Sequence, residues 1–536
     1  MQIPKINIKK TLIFHPFLFA IFPILSLYSH NIAQVLFHQL LIPLAIALGL
    51  MLFLLLLFRL ISRDNQKAGI LTSVFLILFF SYGHVFTIMQ NFWQEMNAWD
   101  PASHINLMFT WIIIFIGTVY LILKTQKNLK NFTNILNLVS FFIIVWPMIN
   151  ISGYEMRVLL YSQNMEPQFT IEAEMIDADA DYLKNTEDLP DIYYIILDKY
   201  SRKDILKEEF DFDNSEFINY LSDKGFYVAN QSTGNYPITP LSLASSLNMQ
   251  YINYRTDEVG ENSINWDPIF NMIKNHKVGK LLKSKGYTYI HFETGWWATG
   301  RNQYADINVH FPSLPNFLGM LYRNTMLAPI GDRLDFLNYR VEQKERILYT
   351  FDELAKIPDI KKSTFVFAHM ILPHQPYVFD RDGNFVSVIK AYQRGRNLNY
   401  VEQLIFTNKK TQELIDIILS KSDIPPIIIL QSDEGPYPKE LEGAHQRYED
   451  HEWGTASNSF LKQKMSILNA LYIPGIDKSI LSPDMTPVNT FRIVFNLLFK
   501  TKLELLPNQN YTLGDKEHIY KFLNVTEKLL GETGQD

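Results

Sequence analysis

Four stretches of this chain carry no charged side chain: Thr11–Phe58, Ala68–Gln94, Pro101–Leu123 and Asn131–Tyr154. A bilayer core of about 30 Å takes roughly 20 apolar residues per helix, so the first stretch holds two spans and the others one each. The pattern therefore predicts spans at 11–29, 37–58, 68–89, 104–123 and 132–153, broken at Ser29-His30-Asn31, Ser62-Arg63-Asp64-Asn65 and Asn97-Ala98-Trp99-Asp100. After Pro190 the pattern changes to short β-branched or aromatic runs alternating with amphipathic stretches of helical length. That alternation predicts an α/β domain with a largely parallel sheet. The expected strands are Ile192–Leu197, Phe226–Ala229, Tyr287–Phe292, Thr364–Ala368, Ile427–Gln431 and Ile467–Ile473.

Charge orients this arrangement. All nine Lys and Arg of residues 1–154 fall on one side of the expected spans: Lys5, Lys9, Lys10, then Arg59, Arg63, Lys67, then Lys124, Lys127, Lys130. Cations near helix ends resist translocation, which puts the N-terminus in the cytoplasm and everything beyond the fifth span on the exported side. Residues 1–154 are a transmembrane domain of about five helices, 155–190 a juxtamembrane helix and acidic linker, and 191–536 the exported domain. The membrane part is net +6, which leaves −12 for the rest of a chain whose total is −6. An acidic exported domain is a poor nucleic-acid binder. With no cysteine in the chain, disulfides, thiolate metal sites and thiol nucleophiles are all excluded.

In open α/β sheets reactive groups gather beyond the carboxyl ends of the strands. Asp198 follows the first expected strand, His369 the fourth, and Ser432-Asp433-Glu434-Gly435 the fifth, so three polar clusters converge on one edge. Each has a plainer use alone: an Asp caps a helix, Thr239 in Tyr236-Pro237-Ile238-Thr239-Pro240 does the same, and Asp433-Glu434 makes a turn. Their coincidence at one edge points to a reactive site. A threonine hydroxyl attacks phosphorus usefully only when a cation stabilises its alkoxide, and carboxylates with imidazoles form the cage for that cation. Tyr236 and Trp296 offer flat faces to a sugar or a lipid headgroup.

These residues carry a resemblance. Over residues 190–500 the chain is similar to the alkaline phosphatase/sulfatase superfamily, and within it to the membrane branch of lipoteichoic acid synthases and lipid A phosphoethanolamine transferases. The matching segments are Asp191–Asp198, Asn235–Asn248, His369–Tyr377, Gln431–Pro436 and Thr486–Arg492. The resemblance implies five spans followed by a sulfatase-like domain. It also implies Asp198, Thr239 and Asp433 at a metal, Thr239 as nucleophile, and His369 and His374 on the transferred phosphate. A further substrate histidine is expected at His445, or else at His451. Where the family has His after its metal Asp, this chain has Glu434, whose oxygen can also bind Zn²⁺ or Mn²⁺. One divalent ion is expected, Zn or Mn ahead of Mg or Ca.

The function so implied is metal-dependent transfer of a phosphate-containing headgroup from a membrane lipid to an envelope glycan or lipid, through a phospho-threonine. Its place would be the bacterial inner membrane, as a multi-pass protein with a periplasmic or extracellular domain. Two alternatives stand beside it. One is a sulfatase-like hydrolase, either a phosphodiesterase with water as acceptor or a sulfatase, the latter disfavoured because the chain has no Cys and no formylglycine motif surrounds Ser242, Ser245 or Ser246. A catalytically inactive envelope-assembly or glycan-binding relative draws support from Glu434.

Overall fold

The computed structural model describes residues 12–32, 35, 37–95, 104–164, 189–312, 316–331, 338–438, 451–515 and 517–530. The chain divides into two compact units, one of residues 1–168 with 313–338, the other of 169–312 with 339–536. The sequence pattern had not separated 313–338 from the expected 191–536 domain, and most of the acidic linker lies outside the described residues.

The first unit contains helices α1 (His15–His30), α2 (Leu41–Ser62), α3 (Asn65–Glu95), α4 (His104–Lys124) and α5 (Lys130–Asn164). Four of them, α2 to α5, are long and apolar enough to cross a membrane. The first expected span forms only the 16 residues of α1, roughly 24 Å at 1.5 Å per residue. Its N-terminus is closed by a distant partner: Asn137 of α5 accepts from the backbone N–H groups of Phe14 (3.2 Å) and His15 (3.0 Å). The same amide donates to Leu12 O at 2.7 Å. Asn137 is thus a polar residue in a membrane helix whose hydrogen-bonding groups have partners where water is absent. Asp64 caps α3 in the ordinary local way, accepting from Gln66 N and Lys67 N. Phe19, Ile24, Met51, Leu54 and Leu71 form the core between α1, α2 and α3, while Leu52, Phe53, Phe109 and Ile113 face outward. Helices apolar on both faces suit a lipid solvent.

The second unit is built on a seven-stranded sheet of β1 (Ile192–Leu197), β2 (Tyr227–Val228), β3 (Thr288–Phe292), β4 (Ile307–Val309), β5 (Thr364–Met370), β6 (Ile427–Gln431) and β7 (Asn469–Tyr472). The strand order is β2-β7-β6-β1-β5-β3-β4. The run β6-β1-β5-β3-β4 is parallel, and β7 and β2 continue it antiparallel at one edge. The six expected strands all form. The seventh, β4, is a three-residue Ile-Asn-Val too short to leave a periodic signal.

β1 is buried on both faces. Ile192, Tyr194 and Ile196 join a core with helices Thr239–Asn248, Asp267–Lys274 and Pro487–Leu498; Tyr193, Ile195 and Leu197 join another with Ser215–Asp223 and Tyr339–Leu354. A sheet covered on both faces needs near-continuous apolar strands, which explains Ile427-Ile428-Ile429-Leu430.

Candidate active site

Three adjacent parallel strands, β6, β1 and β5, supply the site. Ile196 of β1 is level with His369 of β5 and with Gln431 of β6, so Asp198 and Asp433, each two residues farther on, come out beside His369. The potential ligand atoms of Asp198, His369 and Asp433 all lie within 4.8 Å of one another. His369 Nε2 is 3.4 Å from Asp198 Oδ2. Asp198 Oδ1, Asp433 Oδ2 and His369 Nε2 are buried without a hydrogen-bond partner. Two carboxylates and an imidazole aimed inward with unsatisfied atoms are a fitting donor set for a divalent cation.

Thr239 stands at the start of helix Thr239–Asn248, is 9% exposed, and lies beside Asp433, whose ionised form its hydroxyl favours. Pro240 at the helix opening costs nothing there, because the first turn's N–H groups lack intrahelical partners anyway. The helix N-terminus also favours negative charge beside the hydroxyl.

Electrostatics mark the same spot. Burial, then the charges of Asp198 and Glu434, push the Asp433 carboxyl up to about 7. Asp198 goes the other way: burial opposes its ionisation, but His374, His369 and Lys199 together hold it below the usual carboxylate range. Burial opposes charge on His369 too, and the neighbouring Asp198 carboxylate outweighs it, raising the imidazole.

A hydroxyl relay orients His369 from behind. Thr294 Oγ1 accepts from Trp296 N and donates to Trp296 O. Thr294 and Thr299 hydroxyls are in contact at 2.9 Å. Thr299 Oγ1 in turn lies 2.8 Å from His369 Nδ1. That contact holds the ring with Nε2 toward the two carboxylates, the orientation a ligating histidine needs. Replacing Thr299 by Val is expected to weaken binding of a divalent metal by ~10–100-fold, the range for outer-shell partners of a ligating histidine. Thr299→Ser should restore it, as titration calorimetry of both variants will show; equal affinities for Val and wild type would remove Thr299 from the site.

Glu434 is not part of this cluster, contrary to its expected place at the metal. Its Oε2 is 2.8 Å from Lys464 Nζ and its Oε1 3.6 Å from Lys199 Nζ, with all three side chains at most 4% exposed. Two buried ammonium groups need an anion, and Glu434 supplies it. Burial lowers Lys464 to about 8 against the opposing pull of Glu434. Lys199 Nζ also sits 3.4 Å from the centre of the Tyr437 ring. The loop reaches Lys464 because Gly435 presses against helix Asn458–Met465, where a Cβ would lie 2.2 Å from Gln463 O.

The other expected residues divide. His374 donates its backbone N–H to Asp198 O at 3.2 Å but is not among the clustered ligands. Burial and Lys199 lower its ring to about 4, so it is neutral near pH 7. The Trp296 ring meets His369 edge-on at 5.7 Å. Tyr236 is a correction: it is fully buried, its hydroxyl donates to Asn253 and accepts from Ile252 N, and it packs on Tyr511, so it offers no face to a substrate. His445 lies outside the described residues. His451 stacks on Phe460. Sequence reasoning missed Lys199, Lys464 and Thr299; only Lys199, directly after Asp198, carried a signal.

No protein-family model matches the chain, and no curated protein matches it in sequence. Solved structures do. The C-terminal periplasmic domain of EcEptC from Escherichia coli aligns at 10% identity and a TM-score of 0.42, over 65% of this chain and 95% of that one. That of phosphoethanolamine transferase EptC from Campylobacter jejuni aligns at 10% and 0.37, over 60% and 92%. The lipoteichoic acid synthase LtaP from Listeria monocytogenes aligns at 12% and 0.36, over 64% and 83%.

Proposed function

We propose that this chain is a membrane-anchored, metal-dependent phosphotransferase that moves a phosphate-containing headgroup from a membrane lipid to an envelope glycan or lipid through phospho-Thr239. The observation that carries the reading is the cluster of Asp198, His369 and Asp433, whose inward atoms lack partners, with Thr239 at a helix start beside it. Asp198, His369 and Asp433 would hold the ion, Zn or Mn by the donor set. When bound, such an ion stabilises an alkoxide and neutralises phosphoryl oxygens.

Charge balance agrees. Asp198, Asp433 and Glu434 against Lys199 and Lys464 leave the site with one net negative charge when both histidines are uncharged, so a dication turns it net positive for an anionic phosphodiester. The chain's own residues divide the remaining work. Thr239 gives up its hydroxyl proton and forms the new O–P bond as the bond from phosphorus to the lipid's glycerol oxygen breaks, and that oxygen leaves carrying a proton. An acceptor hydroxyl then attacks the same phosphorus and regenerates Thr239. Asp433 orients the nucleophile, and the helix N-terminus behind Thr239 favours the phosphate charge. Anchoring gives a lipid donor a high effective concentration at the site. In this reading the N-terminus is cytoplasmic and the second unit lies on the exported side, by the placement of the cations.

The test is mass spectrometry of the peptide containing Thr239 after incubation of the full chain with phospholipid vesicles. We expect a mass increase equal to the phospho-headgroup, localised on Thr239; turnover with the adduct elsewhere, or none at all, would overturn the covalent route. A second reading, a relative that binds without reacting, is favoured by the Lys199–Glu434–Lys464 triad, which supplies fixed positive charge without a metal. Purified protein without stoichiometric metal and without the adduct would select it.

A further inference from the structure

Residues 313–338 belong to the first unit although they lie between β4 and β5 in the chain. Within them, Phe317 is fully buried and Leu321 nearly so, in the same core as Phe19, Ile24, Leu76 and Phe80 of the membrane helices. The segment is also joined to α3 through backbone. Gly83 N donates to Asn324 O at 3.0 Å, and Met326 N donates to Phe79 O at 3.1 Å. Phe79 and Gly83 are four residues apart, so the two groups that would close one rung of α3 both bond the segment. This approach requires a glycine: a Cβ at position 83 would lie 2.6 Å from Arg323 O and 2.7 Å from Asn324 Cα.

Depth follows from the helix. The span expected at 68–89 lies within α3. Gly83 is six residues inside its end, roughly 9 Å below it at 1.5 Å per residue. Non-helical backbone at that depth is tolerated only where protein supplies its hydrogen bonds, as α3 does here. Beyond the contact, helix Asn316–Arg323 and the short helix Ala328–Gly331 flank a run whose one charge, Arg323, is exposed. Leu327 and Ile330 are 47% and 46% exposed. They belong to a segment packed into the membrane-helix core and bonded to α3 at that depth, which identifies lipid as what covers them.

We propose that residues 316–331 are a re-entrant membrane segment, supplied to the helix bundle from within the later part of the chain, with Leu327 and Ile330 against lipid acyl chains. A segment of this kind returns the chain to the bilayer between two strands of one sheet, giving the second unit further attachments besides the chain leaving α5. The inference needs no metal and no substrate, so it stands or falls separately from the transferase reading.

The chain has no cysteine, which makes the test clean. Leu327→Cys and Ile330→Cys are introduced singly into the full chain, labelled with a bimane fluorophore, and reconstituted in vesicles of phosphatidylethanolamine and phosphatidylglycerol. Bromines on the acyl chains are expected to remove most of the emission, while aqueous iodide leaves it; a label at Tyr392→Cys, a position 89% exposed on the second unit, should behave oppositely. Adding Gly83→Val, whose side chain collides with Arg323 O, should make position 327 open to iodide. Labels at 327 and 330 that respond to iodide and ignore the bromines in the otherwise natural chain would overturn the proposal.

Discussion

Asp433→Asn is expected to lower divalent-metal affinity by more than the ~100-fold that marks the upper range for outer-shell changes, because it removes a ligand rather than its support. It is also expected to flatten the dependence of affinity on pH. In the natural chain the Asp433 carboxyl is pushed up to about 7 by burial and then by Asp198 and Glu434. Metal must displace that proton, so affinity should climb about tenfold per pH unit up to about 7 and level off above it.

The metal-free protein should show the opposite slope in stability. A carboxyl whose folded pKa exceeds its unfolded value contributes stability that is full below the unfolded value and is lost as pH rises through the folded one. Denaturant unfolding in chelator should therefore show stability falling from pH 4 towards about 7, then levelling, and saturating metal should reverse that trend. The Asn variant should lack both slopes; a variant that keeps the natural affinity and its pH profile would exclude Asp433 as a ligand.

Glu434→Gln is expected to cost about 3–5 kcal/mol, since breaking a buried ion network leaves uncompensated charge behind. Here the groups left behind are Lys199 and Lys464, both buried and within 3.6 Å of the carboxylate. The loss should appear in chelator as fully as in metal, and Lys464→Met placed on top should recover part of it by removing one stranded ammonium. Equilibrium unfolding of the single and double variants decides the role of Glu434. If the cost vanished in chelator, Glu434 would be a metal ligand after all.

That contrast shows where the sequence was legible. Long charge-free runs exposed the membrane helices, because lipid tolerates no other pattern. Apolar runs ending in Asp198, His369 and Asp433 exposed the sheet and the edge where chemistry collects, because a parallel sheet delivers its strand ends to one place. Glu434 was misplaced since its partner Lys464 sits in Leu461-Lys462-Gln463-Lys464, a stretch that reads as an ordinary helix surface. Nothing local says that one of those lysines is buried. Tyr236 was misjudged for the converse reason: beside a candidate nucleophile an aromatic ring looks functional, and only packing against Tyr511 reveals it as core. The return of residues 313–338 to the first unit depends on Gly83, over two hundred positions upstream.

The bond between α1 and Asn137 has a further consequence for biogenesis. The opening amides of α1 have no local acceptor and take theirs from α5, more than a hundred residues later. The amino end of α1, made well before α5, is therefore completed only when that helix enters the bilayer beside it. Until then it must borrow hydrogen bonds from water or the insertion machinery, so the order of synthesis and the order of assembly run in opposite directions.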